Sequence, residues 1–224
     1  MARKTFTPWR KDFQRAFFLW LIGSGLLAAA VTHLFEISMV FRLVLAGLAA
    51  LSFIMGHGAY RSGAARLHGK RVEELAVKRL RKVLKRSVSI EHSVLIPGYG
   101  DADIVVTSSQ GRWVVEVKSH VAVRVNRGMF GRCQVVRPAP QNKGEKPFPD
   151  IDSMLSQAAR NAAILKGSPI LWFPAGRVAT HGTVDGVLVV TGPATHLAAK
   201  AGMPRSGLFE RWLPGASEDA SPEN

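Results

Sequence analysis

The sequence predicts an α/β protein, a mixed sheet flanked by helices, preceded by an N-terminal transmembrane helical hairpin. Three observations carry that class. Residues 16–35, AFFLWLIGSGLLAAAVTHLF, hold no Asp, Glu, Lys or Arg and are as long as a membrane-spanning helix requires. Residues 37–60 form a second apolar stretch with only Arg42 near its start, joined to the first by a short turn carrying Glu36. From Val72 onward the order is amphipathic helix, several strands, helix, strands and short helix, which builds a sandwich on a mixed sheet.

Within the hairpin, the small residues Gly23, Gly25, Ala46, Gly47 and Ala50 would let two apolar helices approach closely. Arg3, Lys4, Arg10, Lys11 and Arg15 precede the first span, and Arg61, Arg66, Lys70 and Arg71 follow the second. The connecting turn is almost free of basic charge. Positive flanks stay on the cytoplasmic side, so both termini and the soluble part are expected there, in a multi-pass protein of the cell membrane. Trp9 and Trp20 suit the membrane–water interface. A cleaved signal peptide fits poorly, because the apolar stretch is long and a second follows directly.

The division expected is a basic cytoplasmic N-terminus over 1–15, the hairpin over 16–60, a basic linker over 61–71, one domain over 72–213 and a disordered acidic tail over 214–224. A net charge of +14 points to polyanions, either nucleic acid or an anionic membrane surface. The single cysteine, Cys133, excludes an intrachain disulfide framework and any multi-cysteine zinc site.

In the soluble part, Val72, Leu75, Ala76, Leu80, Val83 and Leu84 recur at helical spacing and predict an amphipathic helix to about Arg86. Its other face carries Lys78, Arg79, Arg81, Lys82, Lys85 and Arg86, a solvated surface or one that meets lipid headgroups or a phosphate backbone. Strands are expected at 87–96, 102–107, 112–118, 121–125 and about 132–137. Residues 138–150, PAPQNKGEKPFPD, read as an exposed loop. Asp150 or Asp152 would cap a helix running through Leu165. Then PILWFPAG and VDGVLVVTG read as strands and THLAAKAG as a short helix.

The stretch GDADIVVTSSQGRWVVEVKSH, residues 100–120, places charge inside apolar strands, which is costly unless the charge is solvated or used. A turn centred on Ser109 and Gln110 sets residues whose numbers sum to 219 opposite each other. Asp103 then faces Glu116, Lys118 shares their side of the sheet, and Trp113, Val115 and Val117 point to the other. Two carboxylates facing each other destabilise a hairpin. A divalent cation between them turns that repulsion into shared attraction, since Mg²⁺ takes hard oxygen ligands, commonly one or two carboxylates completed by water and phosphate. Lys118 would stand where it can orient or deprotonate an attacking water.

An acid on one strand and acid-x-lysine on the next resembles the PD-(D/E)xK nuclease superfamily. With VEELAVKRL on the preceding helix and SQAARNAAIL on a later one, residues from about 69 to 191 look like the nuclease-related domain family. The resemblance implies a restriction-endonuclease-like core that hydrolyses phosphodiester bonds of DNA or RNA with Mg²⁺ or Mn²⁺. Asp103 and Glu116 fit the metal-holding acids, with the Val117 carbonyl as a further ligand. Lys118 fits the lysine that assists water, and Gln157 the glutamine of the following helix. The first-helix acid is Glu73 or Glu74; helical geometry favours Glu73, at the edge of the stripe formed with Val77, Leu80 and Leu84. Asp101 lies nearer the glycine turn. The long Pro-rich segment around 129–150 departs from the family's pattern.

Arg124, Arg127 and Arg132 follow the proposed site, as phosphate contacts or as exposed side chains. His57, His68 and His92 have no partner at metal-ligand spacing and read as interface or surface residues, and His181 and His196, near the late strands, read as structural. The expected partners are nucleic acid, bound without base readout, and the lipid bilayer. Cutting both strands of a duplex would need two copies, which leaves a homo-oligomer open. Two other classes stand beside the nuclease: a catalytically inactive nucleic-acid-binding module at the membrane, and a structural membrane protein docking on anionic lipid.

Overall fold

The computed structural model describes residues 8–32, 38–121, 123–127, 133–138 and 144–206. The turn between the apolar helices, Arg132, much of the Pro-rich segment and the acidic tail lie outside the described residues. The chain divides into two units, Met1–Lys70 and Arg71–Asn224.

In the first unit, α1 (Pro8–Val31) packs antiparallel to the leading part of α2 (Met39–Val83). Both helices are long and apolar enough to cross a membrane. Phe17, Phe18, Leu21 and Ile22 of α1 and Leu43, Val44, Leu51 and Ile54 of α2 are exposed. The contact seam differs from the expected set of small residues. Gly23 lies on it, but Gly25 and Gly47 face open space, and Gly56 and Gly63 are the other points of close approach, against Trp20 and Asp12. Ala49 is buried on the seam and Ala50 is exposed. Periodicity is the reason: Ala16, Gly23 and Ala30 recur every seven residues along α1, as do Ala49, Gly56 and Gly63 along α2, so each set keeps to one side of its helix.

The basic stretch 61–71, expected as a linker, is helical, and α2 runs unbroken from the apolar segment to Val83. Ala64, Ala65, Arg66, Leu67, Lys70 and Arg71 are strong helix formers with no proline among them. Arg66 pairs with Asp12 at 2.8 Å.

The second unit holds β1 (Ser89–Ile96), β2 (Gly100–Ser108), β3 (Gly111–Val117), β4 (Arg124–Arg127), β5 (Cys133–Pro138), β6 (Glu145–Pro147), α3 (Ile151–Leu165), β7 (Ser168–Phe173), β8 (His181–Val184), β9 (Val187–Thr191) and α4 (Ala194–Lys200). Six strands make one mixed sheet in the order β1-β2-β3-β7-β9-β8, and β4-β5-β6 make a small second sheet. β3, β7 and β9 run parallel, while β1, β2 and β8 pair antiparallel with their neighbours.

Both faces of the large sheet are covered, as its Val- and Ile-rich central strands require. The end of α2 and α4 pack one face, joining Leu80, Leu84, Val115, Trp172 and Leu197 in one core. The small sheet and α3 pack the other, with Val135, Phe148, Leu155, Leu171 and Phe173. Gly182 permits that approach, because a Cβ there would lie 2.6 Å from Cys133 Sγ and 2.8 Å from Val125 Cγ1.

Three elements differ from expectation. The Pro-rich loop contributes β6, which pairs with β5. VDGVLVVTG is the end of a hairpin plus a strand: Asp185 and Gly186, at φ 49° and 78°, turn β8 back onto β9. Asp150 stands at the start of α3 in a left-handed conformation and makes no side-chain cap, so packing of the helix's apolar face is what holds that start.

Candidate active site

The β2–β3 hairpin has the register its turn dictates: Ser108 pairs with Gly111, Thr107 with Arg112 and Ile104 with Val115. Ser108 Oγ accepts the Gln110 N–H at 3.0 Å and tightens the turn. The ladder stops at Ile104–Val115. One step on, a side chain takes over from backbone, and the Val117 N–H donates to Asp103 Oδ2 at 2.7 Å. On the other edge of the strand the Lys118 N–H donates to the Trp172 carbonyl at 2.9 Å. Glu116, Val117 and Lys118 are thus gripped from both sides at the carboxyl end of a central strand, where ligand sites of parallel sheets open.

Glu116 is 3% exposed. Lys118 Nζ donates to Glu116 Oε1 at 2.8 Å and to Gln157 Oε1 at 3.3 Å. Asn161 Nδ2 approaches Glu116 Oε2 at 3.5 Å. Gln157 and Asn161 lie one turn apart on α3, and Lys118, one residue past the end of β3, stands two residues from Glu116, so the two pairs meet in register.

Burial, and then the charges of Glu116 and Glu73, push the Asp103 carboxyl well above its ordinary range. The Val117 N–H and Lys118 pull it the other way without offsetting that push. Glu73 of α2 therefore belongs to the field around Asp103. Glu74 is exposed and lines a separate shallow depression with Val77, Lys78, Arg81 and His92. Asp101 is exposed, opposite Leu95.

A family model described as the nuclease-related domain matches residues 68–191, more than half of the chain. The chain belongs to the nuclease-related domain family. No curated protein and no solved structure matches it. The mixed six-stranded sheet with helices on both faces is the core that membership in this family, and through it in the PD-(D/E)xK superfamily, leads one to expect.

Nuclease-related domains commonly use divalent metal, and the side chains here can be tested for it. Among the described residues no group of three or more His, Cys, Asp or Glu side chains is arranged to hold an ion. Asp103 and Glu116 remain as two hard-oxygen donors, and burial, with repulsion from Glu116 added, raises the Asp103 carboxyl. Two carboxylates are hard-oxygen donors of the kind a divalent cation takes, with water and substrate oxygens for its other positions.

Other expected groups lie elsewhere. Arg124 is exposed and pairs with Glu145 at 3.5 Å on the small sheet. Arg127 ends β4, where its backbone pairs with Cys133, and Arg132 is outside the described residues. His181 and His196 set their rings edge to face, 5.4 Å apart, between β8 and α4. Sequence reasoning missed two neighbours of the site. His120 packs edge-on against Phe148, and burial, Lys118 and Arg137 hold its imidazole below its ordinary range. Its only signal was its place two residues after Lys118. Asn161 was signalled by standing four residues after Gln157, a polar residue on the alanine-rich face of a helix.

Proposed function

We propose that this protein is a membrane-anchored, nuclease-like enzyme that hydrolyses phosphodiester bonds of DNA or RNA with Mg²⁺ or Mn²⁺. The observation that carries the reading is the Lys118 ammonium, tied to Glu116 at 2.8 Å and Gln157 at 3.3 Å beside a second, electrostatically strained acid, Asp103.

In this reading Asp103 and Glu116, with the Val117 carbonyl, would hold the cation, which when bound polarises the scissile phosphate and acidifies water. Lys118, as an ammonium, orients the attacking water and offsets charge gathering on the phosphate, while the water's proton passes to solvent. Gln157 fixes the Lys118 ammonium, and Glu73 deepens the negative field at Asp103. Arg124, Arg127 and Arg132, with the exposed basic residues of α2, suit contacts to the phosphate backbone, which give affinity without sequence selectivity.

The two apolar helices support an anchor over residues 16–60, with basic flanks that favour cytoplasmic termini. The nuclease-related domain then occupies 72–213 on the cytoplasmic side, and cutting both strands of a duplex would draw on two copies. One observation favours binding without turnover: both oxygens of Glu116 already have protein donors, Lys118 and Asn161. The full chain in detergent, incubated with single- and double-stranded DNA and RNA in Mg²⁺, Mn²⁺ or EDTA, separates the readings. Metal-dependent cleavage supports the enzyme, and salt-sensitive binding without cleavage supports the binding module.

A further inference from the structure

We infer that Asn161 is a positioning residue of this site, holding the Glu116 carboxylate from α3; the inference rests on the site reading proposed above. Asn161 is 1% exposed and shares the buried face of α3 with Leu155, Ala158 and Ala162. Its Nδ2 reaches Glu116 Oε2 at 3.5 Å, a long approach to a charged acceptor. The orientation of the amide follows from that neighbour, because reversing it would set two acceptor oxygens against each other. Lys118 holds the other oxygen of the same carboxylate. Together they fix both the place and the plane of Glu116.

The acceptor end of the amide is informative. Asn161 Oδ1 is buried and has no hydrogen-bond partner. An unmet buried acceptor disfavours the folded state, so stability alone would put another aliphatic residue here. The asparagine is accounted for by its donor end. The match is also one of register: successive turns of α3 present Gln157 to Lys118 and Asn161 to Glu116, so one helix face supports the whole acid-x-lysine element.

Thermal unfolding of the full chain in detergent and EDTA at pH 7 tests this through Asn161→Asp and Asn161→Leu, each alone and with Glu116→Met. Asn161→Asp keeps the shape but turns an acceptor towards Glu116, so it should lower the midpoint more than Asn161→Leu, and that excess should vanish with Glu116→Met. A packing role predicts an Asn161→Asp penalty of the same size with and without Glu116→Met, because burying the new carboxylate costs as much in both backgrounds, and that result overturns the inference. Mn²⁺ titration calorimetry adds a second readout, with about tenfold weaker binding expected for Asn161→Leu. Unchanged affinity there would remove the positioning role. If the unsubstituted chain neither binds Mn²⁺ nor cleaves, the function reading fails, while the unfolding comparison still decides the contact between Asn161 and Glu116.

Discussion

Asp103 is folded into a place where its charge is unwelcome: burial, Glu116 and Glu73 all favour its protonated form. Because its folded-state pKa lies above the ordinary 3.8, the stability linked to this group is complete below that value and is lost as pH rises through the higher one. In EDTA at neutral pH the carboxylate therefore works against the fold. Asp103→Asn can still accept the Val117 N–H, so it should raise the melting midpoint at pH 7, by more than at pH 4, while abolishing cleavage. Melting curves at the two pH values check this, and a midpoint lowered at pH 7 would show that attraction to Lys118 dominates instead. Lys118 should show the reverse pattern. Lys118→Ala removes the ion pair that neutralises the buried Glu116 and should lower the midpoint.

At the scale of elements, the β2–β3 hairpin positions the acids and a side chain, Asp103, completes it where the ladder ends. A two-residue turn fixes register, and alternation fixes faces, so this part of the fold was legible in the sequence. The bond from Asp103 to Val117 was not, because alternation says which face a residue takes and not where two strands part. Asn161 was hidden for a related reason: its partner lies across α3 and β3, and that register depends on how closely Ala158 and Ala162 let the helix approach. The helicity of 61–71 was not legible, because Lys, Arg and Ala suit a solvated linker and a helix equally. The second sheet depends on one small residue. Gly182→Val should destabilise the protein by about 1–3 kcal/mol, measured by denaturant unfolding, since its side chain would overlap Cys133 and Val125.

Across the whole molecule, two long apolar helices and a strongly basic charge were plain from composition, because neither depends on tertiary packing. If residues 16–60 anchor the chain, it should stay in the membrane pellet through alkaline carbonate extraction, and deletion of residues 1–60 should release it to the supernatant. Release of the full chain by carbonate would remove the anchor. Asp103, Glu116 and Lys118 are proposed to act as one hydrolytic centre. Its most direct test is single-turnover cleavage of a labelled nucleic acid by the full chain in Mg²⁺, with binding measured in parallel for Lys118→Ala and Glu116→Gln. Both variants should bind within about twofold of the unsubstituted chain and cleave at least ~10²-fold more slowly. Cleavage that persists undiminished in both, or a chain that binds and never cleaves, would contradict it.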